Sequence, residues 1–253
     1  ITCRDWSSDV CSSDLTVIIQ QPPFLLAPTV DICFILDTTG SMGEEIRTLQ
    51  DTLDIVVERI HQLPGQPSVR IGLVEYRDRG DEFVTRISQF TTNAYGFRTQ
   101  VLNRVTARGG GDKPEAVQQA LDSAVNEMRW NRADNAIRIA FLIGDAGPQL
   151  NQGQDFRMTA RFAAERGIKI HALGCSGLEP TGELVFRLVA HMTGGCYAFI
   201  TRGGGGGAPH TGISSSPEND NALDAVIEWL ITQDVDAYRR AMAHQGQNPQ
   251  YRR

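Results

Sequence analysis

Long hydrophobic runs are missing from this chain. None approaches the roughly 20 apolar residues needed to span a bilayer, although 41% of its 253 residues are apolar, enough for a sizeable core. No intact signal peptide is visible either. Positive charge is in the minority: 24 Lys and Arg stand against 30 Asp and Glu, a net charge of −6. That argues against a nucleic-acid partner, which would want a basic face. Cysteine is scarce, with five in all, no CxxC pair and no nearby histidine at zinc-ligand spacing. A nucleophile elbow is absent, and the glycine run Gly203 to Gly207 lacks the Lys-Ser/Thr of a phosphate loop.

The first stretch of the chain stands apart from the rest. Asp5 to Leu15, with Arg4 before them, resemble a translated sequencing adapter read in one frame; a native Ser/Asp-rich leader is the alternative. Segments of that origin stand outside fold reasoning. On this reading the true start of the chain is lost, the missing signal peptide says nothing about compartment, and Cys3 and Cys11 leave the cysteine count. Cys33, Cys175 and Cys196 remain, read as small buried hydrophobes; a Cys175–Cys196 bridge stays open as the other reading.

The body alternates apolar runs with helical stripes. Val30 to Leu36, Val69 to Tyr76, Ala136 to Ile143, Ile168 to Leu173 and Cys196 to Ile200 read as strands, and Phe83 to Ile87 as a hairpin partner at a sheet edge. Glu44 to Ile60 carries Ile46, Leu49, Leu53, Ile55, Val56, Val57 and Ile60 at helical spacing. Further helices are expected over Ala94 to Val105, Glu115 to Trp130 behind Pro114 at N1, Phe156 to Arg166, Gly182 to His191 and Ala222 to Ala241. This alternation predicts an α/β fold, doubly wound and Rossmann-like: a mostly parallel central sheet with helices on both faces and one antiparallel edge strand. In such sheets ligands bind beyond the carboxyl ends of the strands.

Three loops at that edge carry acids or hydroxyls. Asp37-Thr38-Thr39-Gly40-Ser41-Met42 directly follows the first buried strand. It places oxygens at i, i+2 and i+4 in a tight turn, a pattern that can converge on one small hard cation. Gly109-Gly110-Gly111-Asp112 precedes a helix, where Asp112 could also be a plain N-cap. Gly144-Asp145-Ala146-Gly147 follows another buried strand. Three carboxylates converging in one cleft would repel unless a cation were shared. The charged turn Arg77-Asp78-Arg79-Gly80-Asp81 reads as solvated, or as a rim of the same edge. His171 is read as a structural histidine in or beside a strand.

These residues resemble the von Willebrand factor type A family, in a bacterial-type branch, over roughly Thr29 to Thr201. The family has a Rossmann-like fold and a metal-ion-dependent adhesion site built from Asp-x-Ser/Thr-x-Ser, a second-loop Thr or Asp and a third-loop Asp. The resemblance implies that Asp37, Thr39, Ser41, Asp112 and Asp145 hold magnesium, with manganese or calcium as substitutes. It implies a non-enzymatic interaction module whose metal takes an Asp or Glu carboxylate from a protein partner. It also favours an extracellular or cell-envelope location. Asp112 stands where integrin-type members have Thr, an added negative charge that should tighten cation binding and weaken capture of an acidic ligand. The expected organisation is residues 1–15 adapter-derived, 16–28 linker or remnant of an upstream region, and 29–201 the type A domain. A Gly/Ser-rich loop follows over 202–220, then a C-terminal helix over 221–242 and a tail over 243–253.

A second resemblance is to the Asp-Lys-Thr-Gly-Thr loop of haloacid-dehalogenase-type phosphotransferases, in which Asp37 would be the nucleophile. Gly144-Asp145 mimics their later acidic magnesium motif. The partner carboxylate expected a few residues on is absent, with Gln149 and Asn151 in its place, and Gly109 to Glu115 has no role in that plan.

Overall fold

The computed structural model describes residues 27–111, 115–148, 155–175, 177–200 and 222–247. A six-stranded sheet with the order β3-β2-β1-β4-β5-β6 runs through the molecule. Its strands are β1 (Thr29–Asp37), β2 (Ser68–Tyr76), β3 (Thr85–Thr91), β4 (Ala136–Gly144), β5 (Ile168–Gly174) and β6 (Tyr197–Phe199). Only the β2–β3 pairing is antiparallel. The helices are α1 (Gly43–His61), α2 (Ala94–Gln100), α3 (Val117–Asn126), α4 (Phe156–Glu165), α5 (Pro180–Met192) and α6 (Leu223–Gln247).

The central strand explains the layering. Along β1, Ile32, Phe34 and Leu36 join one apolar cluster with α1, α2 and α6. Cys33 and Ile35 turn the other way, into a second cluster with α3, α4 and α5. A strand buried on both faces needs no polar alternation, so it reads as a continuous apolar run. β1 is flanked by β2 on one side and β4 on the other, both parallel. The chain order reverses there, beyond the carboxyl ends of β1 and β4, which is where sheets of this kind form their ligand crevice.

Four elements differ most from the sequence expectation: α6 runs on to Gln247, six residues past Ala241, and three others are shorter or begin later. The helix expected over Ala94 to Val105 stops at Gln100, and Leu102–Arg104 forms a 3-10 turn. Gln50 of α1 donates through Nε2 to the carbonyls of Leu102 (2.9 Å) and Val105 (3.1 Å), a tertiary tie that helical periodicity does not reveal. The helix expected from Glu115 to Trp130 is shorter at both ends. Glu115 instead bridges to Pro148, and Trp130 Nε1 donates to the Ala124 carbonyl at 2.8 Å, satisfying a group at the helix end. The edge strand starts at Thr85 rather than Phe83. The Phe83 ring is taken up by the guanidinium groups of Arg77 and Arg86, at 4.5 and 4.3 Å from its centroid.

Cys33, Cys175 and Cys196 are all free thiols, the first two buried and the third exposed. His171 is buried and structural: Nε2 lies 2.9 Å from Asp234 Oδ2 of α6, and Nδ1 accepts the Cys196 backbone N–H at 3.0 Å. Among the described residues no helix is long and apolar enough to cross a membrane.

Candidate metal centre

The crevice is assembled from loops that hydrogen-bond to one another through their backbones. Arg108 N–H donates to Thr38 O at 3.0 Å and Gly40 N–H to Gly109 O at 3.2 Å, joining the first loop to the second. Glu115 N–H donates to Gly147 O at 3.0 Å, joining the second to the third. Cys175 N–H donates to Gly144 O at 2.9 Å and ties the third loop to the end of β5. Glu179 Oε1 accepts from Gly147 N–H at 3.1 Å.

Asp37 ends β1 and is fully buried. Its Oδ1 accepts the Thr39 backbone N–H at 2.8 Å and the Thr39 hydroxyl at 2.7 Å. The carboxylate and the hydroxyl two residues on are thus held together by the turn itself. Ser41 follows in the 3-10 turn Gly40–Met42 and is exposed. Asp145, directly after β4, is buried. Thr38 points away from the crevice, donating to Tyr76 O at 3.1 Å and accepting from Arg77 Nε at 3.2 Å.

Two glycines sit where a side chain would crowd groups at this edge. A Cβ on Gly144 would stand 2.3 Å from the Tyr76 hydroxyl and 3.4 Å from Asp37 Oδ2. A Cβ on Gly110 would stand 2.9 Å from Thr39 Cβ, and its φ of +73° suits a residue without a side chain. The charged turn after β2 rims this same edge. Asp81 Oδ2 accepts from Gly110 N–H at 3.1 Å and from Asp78 N–H at 3.2 Å.

Two buried acids join the site that sequence reading left without a role. Glu45, in the first turn of α1, is pushed up to about 7 by burial, with Asp145, Glu44 and Asp37 adding repulsion. Glu115 is pushed up to about 8 by burial, with Asp37, Asp78, Asp145 and Asp81 adding repulsion. Each has one buried oxygen with no hydrogen-bond partner among the described residues. Nothing in the sequence separates Glu45 from an ordinary acid in a helix's first turn, where acids are favoured.

Asp37, Thr39, Ser41 and Asp145 therefore sit at two loops of one crevice, while Asp112 lies outside the described residues. Among the described residues no three His, Cys, Asp or Glu side chains stand close enough to hold a metal by themselves. Mutual repulsion among buried carboxylates with partnerless oxygens is the condition a hard cation relieves, and oxygen-only donors are what magnesium prefers.

Residues 31–201 match the model of the von Willebrand factor type A domain. Von Willebrand factor A domain-containing protein 7 of Mus musculus is 39% identical over 100 residues, 40% of this chain and 10% of that protein. The alpha-protein kinase vwkA of Dictyostelium discoideum is 29% identical over 119 residues, 46% of this chain and 18% of that protein. The chain thus spans about a tenth of the length of the first curated relatives it matches. Proximal thread matrix protein 1 from the mussel byssus, solved with zinc in its MIDAS motif, superposes with a TM-score of 0.56 at 13% identity. That superposition covers 83% of this chain and 46% of the other.

Proposed function

Because this chain belongs to the von Willebrand factor type A domain family, we propose that its crevice is a metal-dependent docking site for an acidic partner. The observation that carries this reading is the pairing of Asp37 with Thr39 at the end of β1, beside buried and mutually repelling Asp145, Glu45 and Glu115. Asp37, Thr39, Ser41, Asp112 and Asp145 would hold the cation. Magnesium fits this all-oxygen set best, and the zinc in the mussel protein's MIDAS motif supports a divalent ion at this place in the fold. The cation would supply a Lewis-acidic position that accepts an Asp or Glu carboxylate from a protein partner.

The chain's own residues set the terms of that capture. Asp37 is fixed by the Thr39 N–H and hydroxyl, so its position costs little ordering on binding. A bound cation would favour the charged forms of Glu45 and Glu115, which burial and neighbouring acids otherwise disfavour, and the charge they then carry would hold the cation and discourage polyanions. A single partner carboxylate meets less repulsion than a phosphate group would. Phosphoryl transfer needs an in-line nucleophile together with cationic groups that balance the phosphate charge. Around Glu45 and Glu115 the charges that shift their titration are all acidic.

Incubation of the full chain with magnesium and p-nitrophenyl phosphate separates this reading from a phosphotransferase. The expected result is no phosphate release and no trapped aspartyl phosphate. Turnover abolished by Asp37→Asn would overturn the docking reading and establish Asp37 as a nucleophile.

A further inference from the structure

The charged turn between β2 and β3 begins with a buried arginine. Arg77 directly follows β2, and its backbone N–H donates to Val84 O at 3.1 Å, closing the turn. Its side chain is only 4% exposed. The carboxylate paired with it belongs to Glu82, which is 76% exposed and stands 3.6 Å away, too far for a hydrogen bond. A buried guanidinium with so loose an ion pair is costly unless its N–H groups find other acceptors. They find them on two different loops of the crevice. Nε donates to Thr38 Oγ1 in the first loop at 3.2 Å, and Nη2 donates at 2.9 Å to Thr106 O, on the way into the second. The Phe83 ring covers the guanidinium at 4.5 Å from its centroid.

The far end of the same turn grips the second loop again, where Asp81 Oδ2 accepts from Gly110 N–H at 3.1 Å. The space between the loops is narrow: a Cβ on Gly110 would stand 2.9 Å from Thr39 Cβ and 3.4 Å from Glu115 Oε1. Backbone bonds from Arg108 to Thr38 and from Gly40 to Gly109 already join the two loops. Arg77 braces them with a planar group whose N–H directions are fixed, so its two bonds set a spacing as well as a contact. That spacing matters to a cation. Magnesium demands a near-ideal octahedron of oxygens at about 2.1 Å, whereas calcium takes oxygens at about 2.3 to 2.6 Å in flexible geometries. A crevice braced at one width favours the smaller ion, and a crevice free to widen loses that preference.

We propose that Arg77 is a positioning residue that sets the cation selectivity of the crevice, bracing its first and second loops at a spacing that favours magnesium over calcium. The inference rests on the metal-dependent docking site proposed above. Arg77 touches neither the cation nor the partner. It acts through Thr38 and Thr106, and Asp81 acts with it through Gly110.

The test follows manganese binding to the full chain by electron paramagnetic resonance of the free ion, with magnesium and calcium as competitors, in wild type, Arg77→Met and Asp81→Ala. Wild type should prefer magnesium to calcium. Loss of an outer group that orients metal ligands typically costs about 10- to 100-fold in metal affinity. Arg77→Met should lose that much for magnesium and manganese and several-fold less for calcium, so that the preference for magnesium shrinks. Asp81→Ala should move the ratio in the same direction. Melting in chelator records any general loss of stability separately, which a merely structural role would show without a change of ratio. A wild-type chain that prefers calcium, or a folded Arg77→Met with an unchanged ratio, would overturn the proposal and leave the metal site standing. If Arg77→Met does not fold, an unchanged ratio in Asp81→Ala has the same force. A folded wild-type chain that binds none of the three ions would overturn the docking site itself and this proposal with it.

Discussion

Asp37→Asn should abolish the thermal stabilisation that magnesium gives the native chain. A ligand that binds only the native state adds RT ln(1 + [L]/Kd), about 2.7 kcal/mol at a hundredfold excess over Kd. For a domain of this size that corresponds to a rise in Tm of about 5 to 10 °C. Asparagine keeps an oxygen where Asp37 Oδ1 accepts from the Thr39 N–H and hydroxyl, so the turn survives. It removes the charge that a cation needs and that Asp145, Glu45 and Glu115 otherwise oppose. In chelator the variant should therefore melt at or above wild type, and in magnesium below it. Differential scanning calorimetry in the two buffers reads both crossings. A wild-type Tm indifferent to chelator would contradict the account, as would a magnesium shift retained in Asp37→Asn.

Asp31→Ala should cost the fold about 3 kcal/mol, for a reason unrelated to the metal. Asp31 sits near the opposite end of β1 with no exposed surface. It accepts both Nε (2.7 Å) and Nη2 (2.6 Å) of Arg70 in a bidentate pair, and the Asn131 backbone N–H at 2.6 Å. Truncation leaves the Asn131 N–H and a half-buried guanidinium without their acceptor. Arg70 keeps some solvent and a contact to the Arg129 carbonyl at 3.2 Å, which holds the loss toward the lower end of the range for broken buried pairs. Asp31→Asn retains one acceptor oxygen and should lose less. Urea denaturation checks both; a loss under about 1 kcal/mol for the alanine variant would show that the pair contributes no more than a surface bridge.

The sheet was legible in the sequence because its central strands are covered on both faces, so each appears as a mostly apolar run, broken only by Asp31 in the first and Arg138 in the fourth. Val30 to Leu36 and Ala136 to Ile143 fall within one residue of β1 and β4 at either end. Helix ends were less legible because tertiary groups set them: Gln50 takes the carbonyls after α2, and the Trp130 indole closes α3. The Asp37-to-Ser41 turn and Asp145 stood out because acids directly after buried strands have no packing role. Glu45 and Glu115 did not, since burial of an acid in a helix's first turn or just before a helix depends on which loops fold over it. His171 was read correctly as structural, but its partner Asp234 lies 63 residues away on α6, a pairing that no local pattern encodes.

Manganese binding to the full chain, followed by electron paramagnetic resonance of the free ion, reads the cation site itself. One manganese should bind per chain, displaced by magnesium and lost in both Asp37→Asn and Asp145→Asn, with the Asp31 end of the sheet left intact. No bound manganese in the folded wild-type chain, or binding that survives both substitutions, would rule out a cation held by Asp37 and Asp145.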